Sequence, residues 1–252
     1  LTLGLVEGAT AAVLIKKTFA TAADPWLVNL AVAFVSGAPA LSNVLSFVWA
    51  NLAHGRARIG LLVALQAGFA ILVGFLGVAP RALGGLAFAV VSILVARVVW
   101  TGILTVRAAV WSANYPRAAL ARYTGRIVIV SSLAVSLAAA LAAWVLDHGV
   151  IDSRWLFGAG AAAGLLAAWL YRAARVRREF VLLAEENAAS GHNKPFSLGM
   201  LFEILGKDPH FREYMFWMGV FGGGNLMLTS QLVVIFSEQL HLAASLQIAL
   251  LS

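Results

Sequence analysis

Apolar residues in this chain arrive in runs of roughly 20, the length that carries a helix across a bilayer, separated by short polar or basic connections. Seven such runs stand out, at residues 1–20, 26–53, 59–78, 83–106, 127–146, 155–171 and 213–236, and an eighth opens at Ala243. The alternation of apolar and polar positions that marks a barrel strand is missing. Helices are therefore expected, because in hydrocarbon each backbone polar group must find its partner inside its own segment. Asp24-Pro25, the basic turn at 54–58, Pro80-Arg81 and Asn114-Tyr115-Pro116 punctuate the runs. One long polar stretch, 172–212, separates the sixth run from the seventh and contains an amphipathic piece at 196–205. The expected fold is all-α, a polytopic membrane bundle of six helices (1–171), a cytoplasmic linker (172–212) and the start of a further set of helices (213–252). The chain begins and ends inside apolar runs and reads as part of a longer protein. A secretory signal fits the first run poorly, since Glu7 interrupts it and Lys16-Lys17 follow rather than precede it.

Composition sharpens this picture. Of the 252 residues, 62% are hydrophobic and 12% charged, against about 25% charged in ordinary soluble domains. The net charge of +7 is spread between apolar runs, so membrane orientation explains it better than nucleic acid does. With the N-terminus in the cytoplasm, the inner connections hold Arg56, Arg58, Arg107, Arg117, Arg122, Arg126, Arg172, Arg175, Arg177, Arg178, Lys194, Lys207 and Arg212. The outer ones hold Lys16, Lys17, Arg81 and Arg154. That asymmetry alternates loop after loop and predicts a multi-pass protein of the cell (inner) membrane. Cysteine is absent, which removes disulfides and thiolate metal sites.

Small residues recur at every fourth position: Gly4 and Gly8, Ser132, Ser136 and Ala140, Gly160, Gly164 and Ala168, Gly219 and Gly223. Such spacing puts small side chains on one helix face and lets backbones approach closely. Gly222-Gly223-Gly224 differs, since three consecutive glycines each weaken a helix by about 1 kcal/mol. They are expected to mark a flexible or broken point.

Ionisable groups inside the runs carry the candidate chemistry, because a charge in hydrocarbon costs at least about 2.5 kcal/mol and usually faces a cavity or a partner. Arg97 stands in the middle of the fourth run. It reads either as the lining of a hydrated path that binds an anion, or as a structural anchor. Glu7 reads as a proton carrier, its pKa raised by burial, or as a fixed partner for Arg97. Lys16 and Lys17 are expected to snorkel to the outer interface. Asn225 and Gln231 follow the glycine run and join Arg97 and Glu7 as candidate substrate or ion contacts. The five histidines have no metal-ligand spacing, and no nucleophile elbow or phosphate loop is present. No catalytic residue, metal or cofactor is assigned.

Three stretches resemble the major facilitator superfamily. Residues 50–58, Ala-Asn-Leu-Ala-His-Gly-Arg-Ala-Arg, are similar to its signature after the second span, with His54 in place of Asp and Ala57 in place of Gly. Arg97-Val98-Val99-Trp100-Thr101-Gly102 resembles its Arg-plus-Gly motif in the fourth span, the Gly falling one residue late. Residues 111–126 look like its basic connection after that span. The resemblance implies a twelve-span transporter, a central cavity lined by the first, fourth and seventh spans, and alternating access. His54, Gly55, Arg56 and Arg58 would then form a cytoplasmic gate element. The expected partners are a small, anionic solute, a proton and the lipid bilayer. The rival expectation is a non-transporting membrane scaffold or assembly protein whose buried charges serve only structure.

Overall fold

The computed structural model describes residues 2–148, 152–189 and 198–251. Those residues form helices and turns, with no strand among them. A 3-10 turn at Leu3–Leu5 precedes α1 (Gly8–Phe19), and then follow α2 (Pro25–Val44), α3 (Ser46–Ala53), α4 (Arg58–Leu76), α5 (Leu83–Asn114) and α6 (Arg117–His148). After these come α7 (Ser153–Tyr171), α8 (Glu179–Ala189), α9 (Leu198–Lys207), α10 (Pro209–Glu238) and α11 (Ala244–Leu251). Lys194 and the start of the expected amphipathic piece lie outside the described residues.

Among the described residues, four helices are long and apolar enough to cross a membrane: Pro25–Val44, Arg58–Leu76, Leu83–Asn114 and Ala119–Val145. The remaining expected spans fall short of that measure for separate reasons. Helix α1 has 12 residues, about 18 Å at 1.5 Å per residue, because the chain is extended at Glu7. α7 opens with Ser153 and Arg154, which lower its hydropathy, and in α10 the apolar piece among the described residues is Leu228–Glu238. Large apolar side chains nevertheless face outward along α2, α6 and α7, among them Trp26, Phe34, Val130, Leu133 and Trp169. A water-soluble surface does not carry such continuous apolar faces; the fold is that of a membrane-embedded helical protein.

Several boundaries differ from the sequence reading. The second run splits into α2 and α3 at Leu45, where the amide of Leu45 donates to Ser42 O and that of Val48 donates to Leu45 O in tight three-residue turns. Pro39 lies inside α2, and having no N–H it leaves a carbonyl one turn back without its donor. In contrast, α5 and α6 run through most of the arginine-rich connection, broken only around Tyr115 and Pro116. Arginine and alanine are good helix formers, so leaving the apolar phase does not end the helix. Arg107 illustrates this: its guanidinium carbon sits 4.7 Å from the Trp111 ring centre and 5.8 Å from that of Trp100. Helix α10 passes unbroken through Gly222-Gly223-Gly224, contrary to the expected break.

The core is built where small residues admit close approach. α4 packs between α5 and α7, while α1 lies against α2 and α10. A Cβ on Gly164 would fall 2.7 Å from the Ala70 Cβ, and one on Gly74 would fall 3.2 Å from the Ala161 Cβ. Thr2 Oγ1 donates to Gly160 O at 2.6 Å, and Gln66 Nε2 donates to Gly164 O at 3.4 Å. The spaced small residues of α7 thus pack as expected. Those of α6 do not: Ser132, Ser136 and Ala140 are exposed, and the helix buries Ala138, Ala139, Ala142 and Ala143 instead. Gly219 likewise faces open space.

Replacing Gly164 with Leu should therefore lower stability by roughly 1–3 kcal/mol, the usual cost of overpacking. Ser136→Leu, on an outward face, should leave it unchanged. Thermal unfolding of the detergent-solubilised protein separates the two, and equal midpoints would contradict this packing.

Candidate functional site

The chain turns sharply before α1, and that turn sets the central charge pair. Glu7 is the N-cap of α1 with an extended backbone, and its carbonyl accepts from Ala11 N at 2.8 Å. Its side chain makes no cap hydrogen bond and reaches instead to α5, where Arg97 Nη1 donates to Glu7 Oε2 at 3.1 Å. Arg97 lies near the middle of α5, about 20 Å from its nearer end at 1.5 Å per residue. Its side chain is 9% exposed and that of Glu7 41%. Arg97 Nε is buried and has no hydrogen-bond partner among the described residues. The sequence reading of Glu7 as the partner of Arg97 is thus met in geometry, with the buried Nε of the guanidinium left unpartnered.

A second cluster gathers where α1, α2, α10 and α11 end. Lys16 Nζ, on a side chain only 10% exposed, donates to Glu238 Oε1 at 2.5 Å and also to Asn29 Oδ1. Asn29 Nδ2 completes the triangle to Glu238 Oε1 at 3.1 Å. Beside it, Lys17 pairs with Asp147 Oδ1 at 3.1 Å, while Asp147 Oδ2 accepts from Ser245 N at 2.8 Å. The two lysines therefore do not simply snorkel; they bind α1 to α2, α6, α10 and α11. An open cleft of about 520 Å³ lies here, lined by Lys16, Lys17, Ser237, Glu238, His241 and Gln247. It does not reach Glu7 or Arg97. At the same end Arg81 pairs with Asp152 at 3.3 Å.

The opposite end carries the α3–α4 turn. Gly55 adopts φ +67°, a left-handed conformation that glycine takes without penalty. His54 closes α3 and is exposed, as is Arg56, whereas Arg58 opens α4 and is partly buried. The turn is held by α8: Gly55 N donates to Glu186 Oε2 at 2.9 Å, Arg58 N to Glu179 Oε1 at 3.1 Å, and Arg58 Nη2 pairs with Glu186 Oε1.

Of the remaining candidates, Gln231 is exposed on α10 and is not joined to Glu7 or Arg97 among the described residues. Asn225 also lies on α10, and its side chain is outside the described residues. Sequence reading missed Asn29, Asp147, Glu179, Glu186 and Glu238 as partners. The available signal was complementary charge at matching ends of successive runs, with Lys16-Lys17 closing the first and Glu238 the seventh. Among the described residues, no group of three or more His, Cys, Asp or Glu forms a metal site. The chain matches no protein-family model, no curated protein and no solved structure.

The unequal exposure of the central pair makes a directional prediction. Glu7→Gln leaves a buried guanidinium facing a neutral group and should cost roughly 1–3 kcal/mol. Arg97→Met keeps the aliphatic stem and leaves a carboxylate that water reaches, so it should cost less. Thermal unfolding of both variants tests the order; a greater loss for Arg97→Met would overturn it.

Proposed function

We propose that this chain is part of a secondary active transporter of the major-facilitator kind. It moves a small, anionic solute across the cell (inner) membrane by alternating access, with the N-terminus in the cytoplasm. The observation that carries this reading is the Glu7–Arg97 pair. Its arginine is buried mid-helix with Nε unpartnered, and its carboxylate is 41% exposed. A buried donor without a partner costs free energy unless something else satisfies it, and an anionic group arriving beside Glu7 is chemically suited to do so. Protonation of Glu7 would free Nη1 for the same anion, which gives the pair a route to proton coupling. The lysine cluster at the α1–α10 junction and the α8 contacts at the other end then act as ties at the two mouths of the path. Rocking of one half against the other must break one set while the other holds.

The second reading is a non-transporting scaffold. It is favoured by a specific observation: Arg97 and Glu7 close on each other, and the large cleft lies at the bundle end rather than between them.

Uptake by the full-length protein in proteoliposomes discriminates the two. A panel of radiolabelled small carboxylates, phosphate and neutral solutes would be tested with and without an imposed pH gradient. Transport predicts flux of at least one anion, its loss by about 100-fold or more in folded Arg97→Met, equivalent to roughly 2.7 kcal/mol, and loss of the pH-gradient stimulation in Glu7→Gln. Absence of flux across the panel would favour the scaffold, and equal flux in folded Arg97→Met would remove Arg97 from the solute's path.

A further inference from the structure

The α3–α4 turn concentrates positive charge. His54, Arg56 and Arg58 lie within five residues, no acid is among them, and the first turn of α4 has no acidic side chain. A helix N-terminus carries partial positive charge and unsatisfied N–H groups, and Arg58 adds a full charge to it. A turn of this kind needs carboxylates from elsewhere to hold one conformation. Helix α8 brings two. Glu179 and Glu186 are seven residues apart, two helical turns, and so share a face. Glu179 accepts from Arg58 N, while Glu186 accepts from Gly55 N with one oxygen and pairs with the Arg58 guanidinium with the other.

The fit is close on all sides. A Cβ at Gly55 would lie 2.8 Å from Asn187 Oδ1, so α8 sits against the turn's backbone. The segment leading into α8 is fixed separately: Asn114, at the end of α5, donates to Arg175 O at 2.9 Å and accepts from Arg177 N at 2.7 Å. Arg178 then takes φ +56°, a strained conformation for a side chain that bears a Cβ, and it starts α8 in the direction that reaches the turn. On the other face of α8, Glu185 is exposed.

We propose that Glu186 is the positioning residue of the α3–α4 turn: a carboxylate supplied by the linker holds the turn in place and so sets when that end of the bundle opens. The tie itself stands on geometry; its part in gating rests on the transport reading. It makes the linker an active element of the cycle, since any movement that lifts α8 frees Gly55 and Arg58 together.

Hydrogen exchange read by mass spectrometry on the full-length protein in lipid nanodiscs tests the tie. In Glu186→Ala the amides of residues 55–58 should exchange roughly tenfold faster, the scale of a lost hydrogen bond to a charged group, while Glu185→Ala should leave them unchanged. Arg58→Ala removes the guanidinium partner from the other side and should also speed exchange, so it decides the matter where Glu186→Ala does not fold. Unchanged exchange at 55–58 in the folded variants would overturn the proposal. These 252 residues lack cysteine, so Ala20→Cys at the far end, with any cysteine elsewhere in the full-length protein replaced by serine, reports on rocking through its rate of maleimide labelling. A changed rate in Glu186→Ala supports the gating role, which a purely local tie would not produce. Faster exchange with an unchanged rate would keep Glu186 as the turn's tie and sink its gating role, while the transport reading stands or falls on the uptake assay.

Discussion

A charge inside an apolar bundle has to be answered by an opposite charge or a polar group from another element, and that requirement decides how these helices meet. Arg97 draws in the residue that precedes α1, Lys16 draws in α2 and α10, Lys17 draws in α6, and Arg58 draws in α8. In water such pairs contribute little, often less than 1 kcal/mol. In a low-dielectric interior the value of pairing is set less by what the contact gains than by what the lone charge would cost. The ion pairs therefore act as constraints on topology as much as sources of stability. They fix which helix ends share a level and which elements lie adjacent.

The same constraint explains why α1 is short. A straight helix through residue 7 would carry Glu7 on a continuous cylinder. Extending the backbone there uncouples the first turn from α1 and lets the carboxylate reach Arg97. The 3-10 turn then packs against α6 through Gly4, where an added Cβ would lie 2.9 Å from that of Ala138. One break in the chain thus serves both the charge pair and the small-residue contact, so the polar and apolar demands on the first segment agree.

Helical content and the small-residue face of α7 were legible because they depend on local periodicity, which a single sequence carries in full. α4 and α7 match their apolar runs to within two residues, with Gly77 and Arg172 marking the exits. The extension of α5 and α6 into the arginine-rich stretch was not legible, because polarity reports the phase a residue occupies and not whether its backbone is helical. The glycine run misled in the opposite sense: about 1 kcal/mol per glycine is outweighed by the several kcal/mol of an unsatisfied amide in an apolar setting, so α10 stays helical. Ser132, Ser136 and Ala140 misled because spacing defines a face without saying which neighbour covers it. The partners of Lys16 and Arg58 were out of reach for a third reason. They lie 222 and 128 residues away, and only the fold brings them near.

Placing the three polar assemblies along the bundle leads to the last step. The lysine cluster and the α8 ties lie at opposite ends, and the Glu7–Arg97 pair lies between them. Both ends include contacts to elements that follow α7, namely α10 through Glu238, α11 through Asp147 and α8 through Glu179 and Glu186, whereas the central pair joins the first apolar run to the fourth. The ties that cross between early and late elements sit at the two ends and are about as shielded as the central pair: the Lys16 and Arg58 side chains are 10% and 14% exposed, that of Arg97 9%. Each assembly would leave a shielded cation unanswered if it were broken, so the three together fix how the early helices sit against α8 and α10 along the length of the bundle.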